Sequence, residues 1–159
     1  MTRLWPLLPL VLFVIPGCDS SSPAPAPASE VTVQAVEIEQ VAFQAPDGSP
    51  WDARSGPDYF FRLTGPGGKQ LIRSGAVEDL TRSDLPVVPN GSETIDADGG
   101  PYTFTIYEED LLGREEFART REVGRVPFQP SKYAKDRPDE VTLSQGTERL
   151  TLRTVWREK

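Results

Sequence analysis

Apolar and polar residues alternate along several short stretches of the chain, which is the period of a β-strand with one buried face. The clearest run is 102–107, and similar runs occupy 59–63, 69–73 and 150–156. Turn-forming residues separate these runs, with Asn90-Gly91 as the strongest hairpin signal. About eight short strands with turns between them predict an all-β fold, an antiparallel eight-stranded β-sandwich.

The first predicted strand, 31–43, is the longest and the least regular. Its alternation changes parity between Ala35 and Val36 and again before Val41, which predicts bulges along this strand. Shorter runs supply further strand candidates, namely 85–88, 93–95, 123–128 and 141–143.

The N-terminus carries a targeting pattern. Arg3 precedes an apolar run, 4–15, that is shorter than the roughly 20 residues a membrane-spanning helix needs. Ile15-Pro16-Gly17 then leads into Cys18, the only cysteine. This arrangement resembles a bacterial lipoprotein signal, which implies that 1–17 is a signal peptide and that Cys18 carries palmitate-type acyl chains. An ordinary secretory signal or a short membrane anchor is the alternative.

The lipoprotein resemblance implies a location in the cell envelope, lipid-anchored to a bacterial membrane at the periplasmic face or the cell surface. Residues 18–30 follow Cys18 and alternate proline with alanine over 23–28, a composition that favours an extended polyproline II linker. The remaining residues, 31–159, then form the β-sandwich domain.

Composition excludes several classes of function. The formal net charge of −7 argues against nucleic acid as a partner. The absence of histidine removes Ser-His-Asp and Cys-His catalysis and zinc sites built from His and Cys. A single cysteine excludes a disulfide within the chain. We therefore expect no catalytic residue and no enzymatic activity.

Two acidic segments border the predicted strands. Asp52 and Asp58 flank a turn, whereas Glu108 and Asp110 lie two apart in an extended segment, with Glu116 beyond a loop. Calcium binds six to eight oxygens, and turns offer both carboxylates and backbone carbonyls. The spacing favours a calcium site where the two segments meet at one end of the sandwich. The alternative is that these are solvated acidic turns.

The same residues resemble the C2 domain, a calcium-dependent membrane-binding β-sandwich. Asp52 and Asp58 lie six apart before Tyr59-Phe60, and Glu116 lies six past Asp110 after a strand that ends in Ile106-Tyr107. The resemblance covers about 31–159, and glutamate stands at 108 and 116 where that family usually has aspartate. It implies calcium ligands and a membrane-contacting loop tip: Asp52, Asp58, Glu108, Asp110 and Glu116 for the ion, and Leu111 and Leu112 for the membrane.

The predicted function is thus a lipoprotein anchored through acylated Cys18, whose C2-like domain binds calcium and meets a phospholipid or a protein at its acidic end. One alternative is a calcium-independent scaffold or interaction lipoprotein of the envelope. Another is a hydrolase that uses two carboxylates, which would need a substrate cleft between the acidic segments.

Overall fold

A computed structural model describes residues 26–52, 55–110 and 119–158, without the side chain of Asp110. The described part of the chain forms eight β-strands and three short 3-10 turns, at 66–68, 82–84 and 130–132. The strands are β1 Glu30–Gln40, β2 Tyr59–Thr64, β3 Gln70–Arg73, β4 Glu93–Asp96, β5 Tyr102–Asp110, β6 Arg119–Phe128, β7 Glu140–Gln145 and β8 Glu148–Arg157.

The strands form two four-stranded antiparallel sheets, with orders β4-β1-β8-β7 and β3-β2-β5-β6. This arrangement confirms the predicted eight-stranded antiparallel sandwich. The parity changes in β1 also have a structural counterpart, because its pairing with β8 shifts register between Val33 and Ala35 and between Ile38 and Gln40. The bulges keep the apolar residues of β1 on the inner face along its whole length.

The core lies between the two sheets and follows the alternation of each strand. In β2, Tyr59, Phe61 and Leu63 point inward and are fully buried, and in β5 Phe104 and Ile106 do the same. Phe61 and Phe104 meet edge to face, with ring centroids 5.8 Å apart. The buried residues of this core run from Val31 to Leu152, so the sandwich described here closes its own core.

Two segments differ from the sequence expectation. The β5 strand continues to Asp110 because its acidic end pairs with β6, including Asp110 opposite Arg119, so Glu108 and Asp110 belong to a strand. Segment 85–88 does not form a strand and makes only one bridge, between Val87 and Ile38. The prolines at 86 and 89 lack the N–H groups that a ladder of hydrogen bonds requires.

The packed chain begins inside the stretch whose composition predicts a linker. Ala28 is buried and its N–H donates to the carbonyl of Ala134 at 2.9 Å, while the N–H of Ser29 donates to Arg157 at 3.0 Å. The predicted signal peptide, Cys18, Leu111, Leu112 and Glu116 lie outside the described residues. Within the described ranges, no helix has the length and apolar character to cross a bilayer.

Candidate functional site

The two acidic segments lie at the same pole of the sandwich. Tyr59, the first residue of β2, pairs with Glu108 near the end of β5. Just beyond this pair, the N–H of Glu109 donates to the carbonyl of Asp58 at 2.9 Å. The loop that carries Asp52 and Asp58 therefore meets the strand end that carries Glu108 and Asp110, as the spacing predicts. Whether these residues bind a metal stays a prediction.

Glu108 is a buried partner of an arginine. Its side chain is 1% exposed, and its Oε2 accepts a hydrogen bond from Nε of Arg121 at 2.9 Å. Arg121 lies opposite Glu108 in the β5–β6 ladder, and its Nη2 also donates to the carbonyl of Trp51. Its guanidinium lies 5.4 Å from the centre of the Trp51 ring. One arginine thus joins β5, β6 and the loop before β2.

Asp58 lies in a separate acidic cluster on the rim of the pole. Its Oδ1 accepts a hydrogen bond from the N–H of Asp79 at 2.7 Å. Burial raises the pKa of the Asp58 carboxyl, and the charges of Asp79, Glu78 and Asp52 raise it further, whereas the Asp79 hydrogen bond lowers it. Asp52 accepts a hydrogen bond from Ser55 Oγ at 2.8 Å.

Glu78 and Asp79 belong to a segment that sequence analysis did not connect with the site. A bridge between Val77 and Tyr59 and a hydrogen bond of 3.0 Å from Leu80 N to Pro57 O hold this segment against the first loop. The loop approaches so closely that a Cβ on Gly56 would lie 2.2 Å from the carbonyl oxygen of Leu80. The only sequence signal is the Glu78-Asp79 pair itself, because the long connection from β3 to β4 hides its position.

A second carboxylate lies beneath the pole. Glu148 is 7% exposed, accepts a hydrogen bond from Thr147 Oγ1 at 2.7 Å, and packs so closely on Gly124 that a Cβ there would lie 2.4 Å from its Cδ. The Tyr59 hydroxyl donates to the carbonyl of Ala42 at 2.6 Å. Burial raises the pKa of this hydroxyl, and the charges of Glu108 and Glu148 add to the effect. The interior here holds negative charge that Arg121 partly balances.

The described residues do not by themselves form a calcium site. Among them, no group of three or more His, Cys, Asp or Glu side chains is arranged to hold a metal ion. Glu108 is buried against Arg121, which is a cation already in contact with the predicted ligand. Of the other predicted ligands, Asp52 and Asp58 are described, Asp110 is described in its backbone only, and Glu116 lies outside the described residues.

A groove of about 700 Å³ also opens at this pole, lined by residues of the 39–48 segment together with Arg82, Leu85 and Thr147. Among these lining residues Glu39 is the one carboxylate, and its Oε1 accepts a hydrogen bond from Thr151. A hydrolase of the kind considered from the sequence needs two carboxylates facing a substrate. This groove offers one, so it gives that alternative no support, and the absence of enzymatic activity stays a prediction.

A different cluster covers the outer face of the β3-β2-β5-β6 sheet. Phe60 and Tyr107 stack on each other with ring centroids 5.3 Å apart. The Cζ atom of Arg62 lies 4.6 Å from the Tyr107 ring centre and 5.4 Å from that of Phe60, and the Cζ of Arg73 lies 4.1 Å from Phe60. Phe60 is fully buried although it points away from the core, because these groups cover it. We call Phe60, Arg62, Arg73 and Tyr107 the arginine–aromatic face.

The two arginines of this face differ in their partners. Arg73 forms an ion pair with Glu109, with Nη2 and Oε2 2.8 Å apart. Within the described residues, Arg62 makes no ion pair and no hydrogen bond, and its Nε is buried without a partner. A guanidinium that rests on aromatic rings keeps its N–H groups directed outward in a plane, where an oxyanion can accept two of them. Sequence analysis missed this face, whose signal is the Phe-x-Arg alternation of β2.

Comparison with solved structures places this geometry in a known fold. A single C2 domain of a plant extended synaptotagmin 1, the first along that chain, superposes with a TM-score of 0.54 and 13% identity, over 85% of this chain and 98% of that domain. A C2 domain protein from Ramazzottius varieornatus superposes with a TM-score of 0.51 and 10% identity, over 84% and 91%. The sandwich is C2-like. A fragment of extended synaptotagmin 2 that contains two C2 domains gives a TM-score of 0.56 and 15% identity, over 98% of this chain and 49% of that fragment.

No protein-family model and no curated protein matches the sequence. The C2-like fold therefore rests on the arrangement of the strands, at sequence identities that show the fold alone. What the domain binds must be argued from its own residues.

Proposed function

We propose that this chain is a lipoprotein anchored to a bacterial membrane through acylated Cys18, and that its C2-like domain binds the phosphate groups of anionic lipids without calcium. The observation that supports lipid binding is Arg62, a cation on two stacked rings with no carboxylate partner among the described residues. The proposal assigns the chain no catalytic residue. It places the protein in the cell envelope.

A phosphate fits the unsatisfied groups of Arg62 better than water does. A buried donor without a partner costs about 1–3 kcal/mol, which a ligand that accepts its hydrogen bond recovers. Guanidinium and phosphate match in a two-point contact, and partial burial on Phe60 and Tyr107 reduces the water that the arginine must lose on binding. Arg73 lies over the same Phe60 ring and adds a second positive charge nearby.

The expected affinity is low, which suits a tethered domain. A basic residue near an anionic membrane contributes about 1 kcal/mol. A short linker from Cys18 would hold the domain at a millimolar effective concentration of lipid, so a weak site can stay occupied. The acidic cluster of Asp52, Asp58, Glu78 and Asp79 would be repelled by the same surface. Together the two charges orient the sheet face toward the lipid.

Vesicle binding of residues 26–159 tests this proposal without the anchor. The assay compares pelleting with phosphatidylglycerol vesicles and with neutral phosphatidylcholine vesicles in a calcium chelator at low salt. We expect binding to the anionic vesicles only, and a roughly five- to tenfold loss of affinity for Arg62→Gln. Arg153→Gln is the matched control, because Arg153 is 62% exposed on the other sheet beside Glu140. Equal binding by both variants would contradict the proposal.

Calcium binding at the acidic pole is the second candidate function. The convergence of the Asp52–Asp58 loop with the end of β5 supports it. It assigns Asp52, Asp58, Glu108, Asp110 and Glu116 to the ion and Leu111 and Leu112 to the membrane. It predicts a gain of about 2.7 kcal/mol in the free energy of unfolding when calcium exceeds its dissociation constant a hundredfold. Thermal melts of residues 26–159 in calcium and in chelator separate the candidates, since the first predicts no shift.

A further inference from the structure

We infer that the Arg121 side chain takes the place of a bound cation at the acidic pole, and that it holds the first loop on the sheet whether or not calcium is present. This inference concerns the inner side of the β3-β2-β5-β6 sheet. It is independent of lipid binding at the arginine–aromatic face and would survive the failure of that proposal.

The contacts of Arg121 are those a central cation would make. It contacts an anionic side chain, Glu108 Oε2, at 2.9 Å and a backbone carbonyl, that of Trp51. These oxygens belong to β5 and to the first loop, while Arg121 itself belongs to β6. Carboxylate and carbonyl oxygens are also the ligands of calcium, so the guanidinium uses the same oxygen types as a metal would.

The chemistry of arginine makes this link permanent. The guanidinium stays charged at every physiological pH and offers five N–H groups in one plane. Glu108 is almost completely buried, so its negative charge depends on a nearby positive charge in a way that an exposed carboxylate does not. A pole closed in this manner needs no ion to order the first loop.

An ordinary stabilising ion pair and a cation substitute differ in one respect. If Arg121 fills a cation position, removing its side chain leaves a space beside the Glu108 carboxylate that a small soluble cation can enter and partly restore. A salt bridge that merely adds surface stability leaves no such position. Arg73 with Glu109 provides the comparison, because Arg73 is 40% exposed, as is Arg121, and its carboxylate partner is the next residue along β5.

The test measures melting temperatures of the full-length chain in non-ionic detergent, with chelator, with calcium, with methylguanidinium, and with choline chloride at matched ionic strength. We expect calcium to leave the natural chain unchanged. Arg121→Ala should melt about 8 °C lower, and methylguanidinium or calcium should restore at least part of that loss, whereas choline should not. Arg73→Ala should melt less than about 3 °C lower, with no recovery by either cation.

The inference is overturned if Arg121→Ala and Arg73→Ala lose equal stability, if neither methylguanidinium nor calcium restores Arg121→Ala, or if calcium raises the melting temperature of the natural chain. Should Arg121→Ala fail to fold, the double variant Glu108→Gln, Arg121→Ala decides the matter. Removing the buried negative charge should then recover a cooperative melt, and a double variant that also fails to fold contradicts the inference.

Discussion

Glu108 and Glu109 are adjacent in β5, and each pairs with an arginine that is 40% exposed, at 2.9 and 2.8 Å. Strand alternation directs them to opposite sides of one sheet. Glu108 faces inward and is 1% exposed, whereas Glu109 faces outward and is 16% exposed. The inner pair fixes the first loop at the acidic pole, and the outer pair borders the arginine–aromatic face.

The comparison teaches that burial, and not distance, decides what each ion pair does. A carboxylate removed from water depends on its partner, because an unpaired buried charge costs several kcal/mol. A carboxylate near the surface can exchange its partner for water at little cost. The inner pair therefore serves as a fixed structural link, and the outer pair can open for a phosphate that competes with Glu109 for Arg73.

The largest expected effect breaks the inner side of this comparison at the loop itself. A Cβ on Gly56 would lie 2.2 Å from the backbone oxygen of Leu80, so Gly56→Ala must displace the first loop from the pole. We expect a loss of about 3 kcal/mol or more in urea denaturation. Gly75→Ala is the control, since its Cβ would meet nothing within 4 Å, and should change stability by less than about 1 kcal/mol. Equal effects would show that the loop is not held at the pole as described.

Two double-mutant cycles compare the ion pairs directly. Alanine substitutions at Glu108 and Arg121 should show a coupling energy of about 2–3 kcal/mol, reduced from that of a fully buried pair by the exposure of Arg121. The same cycle at Glu109 and Arg73 should give less than about 1 kcal/mol. Urea denaturation of the four variants in each cycle supplies the values. A larger coupling for the outer pair would reverse the account.

A smaller effect sharpens the outer side of the comparison. Glu109→Gln removes the carboxylate that competes for Arg73, so phosphatidylglycerol vesicles should bind residues 26–159 about three- to fivefold more tightly. Glu140→Gln, which removes the same charge beside Arg153 on the other sheet, controls for the change in net charge. A gain no greater than that of the control would mean that lipid does not approach Arg73.

The smallest effect is a pH dependence at the acidic cluster. Because the folded pKa of Asp58 is raised above its ordinary value, the stability it contributes is complete below pH about 4 and falls as pH rises through the folded pKa. Asp58→Asn keeps an oxygen for the Asp79 N–H and removes the charge, so it should raise the melting temperature by about 1–3 °C at pH 7 and not at pH 3. A destabilised variant at pH 7 would indicate that a bound cation uses the Asp58 charge.

Much of the fold could be predicted from the sequence because it depends on local alternation. Tyr102-Thr103-Phe104-Thr105-Ile106-Tyr107 has one strand period, and the structure places its alternate residues in the core. The parity changes of β1 likewise predicted its bulges. The meeting of the two acidic segments followed from the order of strands in a C2-like sandwich. These features are written in residues that are near one another in the chain.

The chemistry of the site could not be predicted in the same way. Arg121 meets Glu108 only because a bulge after Ile106 shifts the β5–β6 register, and no local pattern specifies that shift. Glu78 and Asp79 reach Asp58 through a long connection with few strand contacts. Arg62 gains its importance from what does not pair with it. Each feature depends on long-range contacts, so the spacing of the carboxylates suggested calcium without revealing the arginine among them.

The most direct test of the central claim is the binding of residues 26–159 to phosphatidylglycerol vesicles, measured in calcium and in chelator. The account predicts the same affinity in both conditions, with loss of binding for Arg62→Gln and not for Asp52→Asn combined with Asp58→Asn. Binding that requires calcium and is lost in the double aspartate variant would contradict it.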